Sequence, residues 1–439
     1  MTERRSNGIS THAGPRMAAL VASGSVAALL AAASAVSAQD IRVWSGYPEL
    51  EPFYRHVAEG MKAEHPDLNV TVEAINLRDH ERRVALGLTS GEAAEVIEMA
   101  SALAPRYLEN DLFNPAPENV AAFVTDDENF GAFFEEGAGF DGSIFGMPLF
   151  RGQSALYYNT DMFAAAGLDG PPTTMAEYDT YAEALTQRDD SGEPTVSGWS
   201  LRLSGGGAGI TEKFTINMFQ FGGTFLEQTD DGKWRAAFAT EAGRETLKQY
   251  LHNLYTTETV AADMPADAEA FEREQTAMFI RESWVIGDIA AKAPDLNYAT
   301  ATLPEGSIVS QVNLYVTGED EAEQAAWDFL MATQDRDNLL WLLENVGWLP
   351  NRLGLDYAPV IEKTPAFEAF VQYPEDYGFF TNPNVGPVEE IMARFAARLE
   401  RAFADPSLAG DDAAIDAVLA EAAAEIDGIL EREGLLAQQ

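Results

Sequence analysis

The chain contains no cysteine, which excludes disulfides, thiolate metal sites, a cysteine nucleophile and a lipid-acceptor cysteine behind an export signal. Basic residues are scarce: 28 Lys and Arg stand against 71 Asp and Glu, giving a formal net charge of −43. A surface of that sign does not bind nucleic acid or anionic lipid through general electrostatics. Histidine is rare as well, and His56, His65, His80 and His252 show no His-Glu-x-x-His or other metal spacing. No metal and no cofactor are therefore expected. The glycine-rich stretch Ser204–Gly209 lacks the Gly-Lys-Ser/Thr ending of a nucleotide loop. A glycosidase needs two carboxylates set across a bond, and with 71 acids the sequence nominates no pair, so an extracytoplasmic carbohydrate-active enzyme stays a distant alternative.

A long apolar run occurs at the N-terminus. Residues 17–33 are almost all Ala, Leu, Val, Ser and Gly, preceded by Arg4, Arg5 and Arg16 and followed by the small-residue sequence Val36-Ser37-Ala38. So short and Ala-rich a run, meeting the polar Gln39-Asp40 at once, reads as an export signal cleaved after about Ala38 rather than a membrane anchor. Arg4-Arg5 raises a twin-arginine route, but the apolar residues that should follow it are missing. Arg4, Arg5 and Arg16 against Glu3 give this segment +2, which leaves −45 for the rest. With no lipid anchor, a freely diffusing periplasmic protein of a two-membrane bacterium is expected. The acidity is read as a solvated surface suited to a salty medium, because the acids are scattered and the bases are mostly Arg. The chain beyond the signal exceeds the usual single-domain size, so two lobes are expected.

Along the chain, Ile41 to Trp44 alternates as a strand, Leu50 to Glu64 has helical spacing, Val70 to Ala74 is a strand, Glu81 to Leu88 a helix, and Glu95 to Met99 a strand. Such alternation implies α/β architecture with largely parallel sheets. Further helices are expected near 175–187, 241–256, 317–333, 386–404 and 411–433, with a strand from Ser307 to Val316.

Several segments resemble, in order, the extracellular solute-binding proteins, family 1, of ABC importers, the family of the maltose-binding protein. Gly146-Met147-Pro148-Leu149, then Leu156-Tyr157-Tyr158-Asn159, the Gly167 stop and Pro171-Pro172-Thr173-Thr174 form the main match. Ile41-Arg42-Val43-Trp44, Ala277-Met278-Phe279-Ile280 with Trp284, Ala325 to Leu330 and Gly347-Trp348-Leu349-Pro350 add four more. The resemblance implies a type II periplasmic-binding-protein fold: two α/β lobes, each a mostly parallel sheet flanked by helices, with a ligand cleft at the hinge. The implied division is signal 1–38, first lobe 39–152, second lobe 153–306, a return to the first lobe at 307–350, and a helical return to the second at 351–439. It also implies a monomer that hands a small-molecule ligand, a carbohydrate, to the membrane subunits of an ABC permease. A charged or non-sugar solute such as a glycerophosphodiester, sulfonated sugar or polyamine is the alternative.

A neutral sugar needs flat aromatic platforms and directional polar groups. The resemblance implies that Trp284 holds the position of a sugar-stacking tryptophan in the maltose-binding protein, and Asp288 follows one helical turn later. Trp348 sits in a Gly-Trp-Leu-Pro turn. Trp44, Tyr47 and Glu49 end the first strand, and Met99 and Ser101 end the third, where Glu98 interrupts the usual apolar close. Arg151, Asn313 and Arg352 lie near the lobe crossings, although Arg151 has an interlobe ion pair as its alternative. Gly206, in the glycine-rich loop, is assigned to the site through its backbone N–H, and with Arg151 and Arg202 it keeps an anionic sugar in view. Trp327 belongs to a core helix face; Trp199, Trp234 and Trp341 have no family match.

Overall fold

In a computed structural model, residues 39–204, 207–260, 267–374 and 376–438 are described; the expected export signal and Gly206 lie outside them. β1 (Gln39–Ser45) pairs in parallel with β2 (Leu68–Ala74) and β3 (Val96–Ala100). Between them run α1 (Glu51–Met61) and α2 (Leu77–Ser90). α1 carries proline in its first turn and buries Phe53, Tyr54, Val57 and Met61, the spacing of one helical face. α2 stops at Gly91, whose φ of 74° is the left-handed cap that glycine adopts without strain. Gly87 of α2 is required by packing, since a Cβ there would stand 2.7 Å from the Trp44 ring.

Two long strands join the cores. The first crossing strand, Gly146–Asn159, starts in a core with β1 and β2 through Met147, Leu149 and Phe150. It ends, through Leu156, in a second core built on Tyr178, Trp199, Phe214, Tyr250 and Phe395. The second crossing strand, Gly306–Val316, returns from Ile308 in that core to Val312, Leu314 and Val316 in the first. The two pair antiparallel, with a register shift between Val312 and Asn313. Met278–Glu282 pairs antiparallel with the far half of the first crossing strand.

Parallel pairing therefore holds across β1, β2 and β3, and the sheet becomes mixed where the crossing strands enter. Two neighbouring strands that span the same gap in opposite directions can only pair antiparallel. The helix Asp320–Thr333 buries Trp327 and Phe329 in the first core, while Val388–Phe403 and Asp412–Arg432 pack on the second. This is a two-lobed α/β architecture whose strand ends open onto a cleft beside the crossings.

Candidate ligand-binding cleft

The cleft holds about 690 Å³ of free space, a volume typical of small-molecule sites. Its floor is aromatic. Tyr47, on the turn after β1, meets Phe150 of the first crossing strand edge-on at 5.4 Å and Trp348 at 5.3 Å, and Phe150 and Trp348 lie 4.8 Å apart. Trp348 Nε1 donates to Glu49 Oε1 at 3.2 Å, which ties the two loops together. Trp284 opens the helix Trp284–Lys292 and donates through Nε1 to Glu282 Oε2 at 3.3 Å.

The end of β3 supplies the least expected group. Glu98 is 1% exposed, yet its carboxyl accepts from Ser45 Oγ and the Gly46 N–H, both at 3.0 Å, and from the Tyr54 hydroxyl. Burial outweighs these donors and pushes the carboxyl up to about 8. Glu98 thereby holds the turn that presents Tyr47 and Glu49. Its main-chain carbonyl is 2.7 Å from His80 Nε2. A neutral imidazole donating there has an acceptor left at Nδ1, and burial lowers the His80 pKa, outweighing the hydrogen bond to the Glu98 carbonyl. His80 Nδ1 is buried without a partner among the described residues, as are Gln311 Oε1, Arg106 Nε and Arg281 Nε, and all four residues line the cleft. These four residues place polar side chains beside the aromatic floor.

The second lobe contributes a buried charge cluster. Lys213 Nζ contacts Glu282 Oε1 at 2.6 Å, and Arg281 lies 3.5 Å from Glu282 and 5.2 Å over the Trp284 ring. Burial alone would raise the Glu282 carboxyl, but Arg281 and Lys213 outweigh it and hold the group well below the usual carboxylate range. Across the cleft mouth, Arg106 Nη1 of α3 (Pro105–Leu108) meets Glu389 Oε2 at 2.7 Å.

Of the residues singled out in the sequence, Tyr47, Glu49, Met99, Ser101, Arg202, Trp284 and Trp348 line this cleft. The others stand elsewhere. Trp44 is 4% exposed, packed on Gly87 with Arg83 stacked over its ring at 3.9 Å. Arg151 alternates away from the cleft-facing Phe150 and Gly152 and donates to the Pro350 carbonyl at 2.5 Å. Asn313, beyond the bulge, is fully buried and donates to the Gly137 carbonyl at 2.8 Å. Asp288 pairs with Lys292 at 2.6 Å on its own helix. Arg352 donates to the Gln334 carbonyl and to Asn129 Oδ1. Each of these four polar side chains already has a structural partner. Sequence reasoning misses His80, Arg106, Gln311, Arg281 and Glu282; only Glu98 leaves a signal, a carboxylate inside an apolar strand end.

Two α/β lobes bridged by long crossing strands, with a polar and aromatic cleft at their strand ends, define a two-lobed binding-protein architecture. The chain belongs to the bacterial extracellular solute-binding proteins, whose family model matches residues 57–369. It is 23% identical to a binding protein of Brucella abortus (strain 2308), over 92% of this chain and 96% of that one. It is 22% identical to a lactose-binding protein of Rhizobium radiobacter over 74% of each chain. Among solved structures it is similar to an ABC transporter solute-binding protein of Thermotoga lettingae bound with α-D-tagatose, with a TM-score of 0.74 and 19% identity over 89% of this chain and all of that one. A maltose-bound binding protein of T. maritima gives a TM-score of 0.74 and 16% identity, over 89% of this chain and 99% of that one.

Proposed function

We propose that this chain is the soluble receptor of an ABC importer, capturing a sugar (a mono- or oligosaccharide or glycoside) between its lobes and delivering it to the membrane permease. The observation that carries this reading is the pairing, in one cleft, of the Trp284, Trp348 and Tyr47 rings with the polar side chains of His80, Gln311, Arg106 and Arg281. A pyranose offers an apolar face to the rings and hydroxyls to the polar atoms. Similarity to proteins named for lactose, tagatose and maltose supports the same ligand class.

Residues 39–152 and 307–350 form the first lobe in this account, and 153–306 and 351–439 the second. Contacts from both lobes exist together only when the cleft closes, so ligand shifts an open and closed equilibrium. A micromolar dissociation constant corresponds to about −8 kcal/mol, within reach of one stacked ring and several satisfied hydrogen bonds after ordering losses. Cleavage after about Ala38 releases the protein into the periplasm as a monomer, and ATP at the permease drives transport.

The test is a thermal-shift screen of purified protein against mono-, di- and oligosaccharides, polyols, sugar phosphates and polyamines. A ligand that binds only the folded state raises the melting temperature. A shift with one sugar class is expected, whereas shifts only with non-sugar solutes overturn the reading. Recovery of the bound sugar unchanged after long incubation separates a receptor from a carbohydrate-active enzyme.

A further inference from the structure

The acidic and basic groups that line the cleft differ in how closely they are partnered, and the difference points to a ligand chemistry. Five of its six carboxyl groups have close partners. Glu49 accepts from Trp348 Nε1, Glu81 pairs with Arg78 at 2.7 Å, Glu389 with Arg106 at 2.7 Å, and Glu282 with Lys213 at 2.6 Å. Glu98 accepts from three donors. The sixth, Glu212, has Asn382 Nδ2 at 3.4 Å and Lys213 Nζ at 3.8 Å beside it.

Two arginines on the second-lobe wall are held more loosely. The Arg281 side chain is 17% exposed and its Nε has no hydrogen-bond partner among the described residues. The carboxylates beside it, Glu282 at 3.5 Å and Asp267 at 3.8 Å, stand too far for good hydrogen bonds. Arg202 has neither a hydrogen bond nor an ion pair among the described residues. Its guanidinium lies against Gly209, the second residue of the helix Ala208–Phe219, where a Cβ would come within 2.9 Å of Cζ. Both arginines line the cleft. A guanidinium carries five N–H donors in a planar fork that matches a carboxylate, and Arg281 and Arg202 both have donors to spare.

We propose that Arg281 and Arg202 form a carboxylate subsite, and that the captured sugar is an acidic one bearing a uronate group. This rests on the sugar-receptor reading above and narrows it. Trp284, stacked beneath Arg281, takes the face of the uronate ring while Arg281 takes its carboxylate, so one wall reads both features. The net charge of −43 repels an anion at long range, which salt screens. Salt dependence therefore does not separate the cases, but esterification does, because it removes the charge and keeps the ring.

The test is calorimetric titration of the protein with D-glucuronate, D-galacturonate and their disaccharides, each beside its neutral parent sugar and its methyl ester. At least one acid is expected to bind about tenfold or more tightly than both counterparts, the scale of a charge-assisted hydrogen-bond pair. Arg281→Gln and Arg202→Gln, checked for folding by their melting curves, are expected to bring that ratio within about threefold. Neutral parents or esters binding as tightly as the acids overturn the uronate assignment and leave the sugar-receptor reading standing. No binding by acid or neutral sugar overturns both. An unchanged ratio in two folded variants removes the arginines from the subsite, and if Arg281→Gln does not fold, Arg202→Gln and the wild-type comparison decide.

Discussion

Replacing Glu98 by glutamine tests the buried carboxyl at the root of the cleft. The side chain is 1% exposed and burial pushes its pKa from 4.5 to about 8. The folded protein thus keeps a proton that the unfolded chain releases above about pH 4.5, so stability falls as pH rises from there towards 8. Within that window each pH unit removes about 1.4 kcal/mol. Wild type should therefore lose roughly 3 kcal/mol relative to Glu98→Gln between about pH 5 and about pH 7.5. Glu282, depressed in the folded state, acts in the opposite sense: its contribution is present above the ordinary carboxylate range and is lost in strong acid. It is common to both proteins and cancels in the difference. Glutamine presents one acceptor and one donor arm, as a protonated carboxyl does, so Gly46 N–H can still donate while the Tyr54 hydroxyl turns to accept. Urea unfolding of both proteins at four pH values measures the difference directly. Parallel stability profiles would refute the reasoning and mean that Glu98 is ionised in the folded protein, held by Ser45, Gly46 and Tyr54.

Other perturbations have separate readouts. Gly87→Ala drives a Cβ to 2.7 Å from Trp44 and should destabilise by about 1–3 kcal/mol in urea unfolding. Trp284→Ala should weaken sugar binding about tenfold or more by calorimetry, the loss of one stacked ring. Arg106→Ala breaks a pair whose side chains are 39% and 43% exposed, so stability should change by less than about 1 kcal/mol. Any larger effect should appear in X-ray scattering, as a more open unliganded particle.

How much of this is legible in the sequence follows from the range of the interactions. Local features read well: the alternation of β1, the helical face of α1 and the Gly91 stop are set by neighbours a few residues away. Trp327 is readable as core from its helix face alone. The cleft groups are not, because they depend on distant pairings. Glu98 finds Tyr54 44 residues away and Ser45 53 residues away, and nothing local announces either. Arg151 and Asn313 sit on crossing strands, where a one-residue change of phase sends a side chain to the opposite face. The shift at Val312/Asn313 sets such a phase and has no sequence mark. Arg281 was open to a closer reading: a cation directly after the apolar Ala277–Ile280 run, three residues before Trp284, stands at a strand end where ligands bind.

The measurement that bears most directly on the central claim is calorimetric titration of the sugar giving the largest thermal shift into wild type and into a folded Trp284→Ala, Gln311→Ala double variant. One molar equivalent bound by wild type, with affinity lowered at least about a hundredfold in the variant, is the result expected of a receptor that captures its ligand in this cleft. Equal affinity in the two proteins would contradict it.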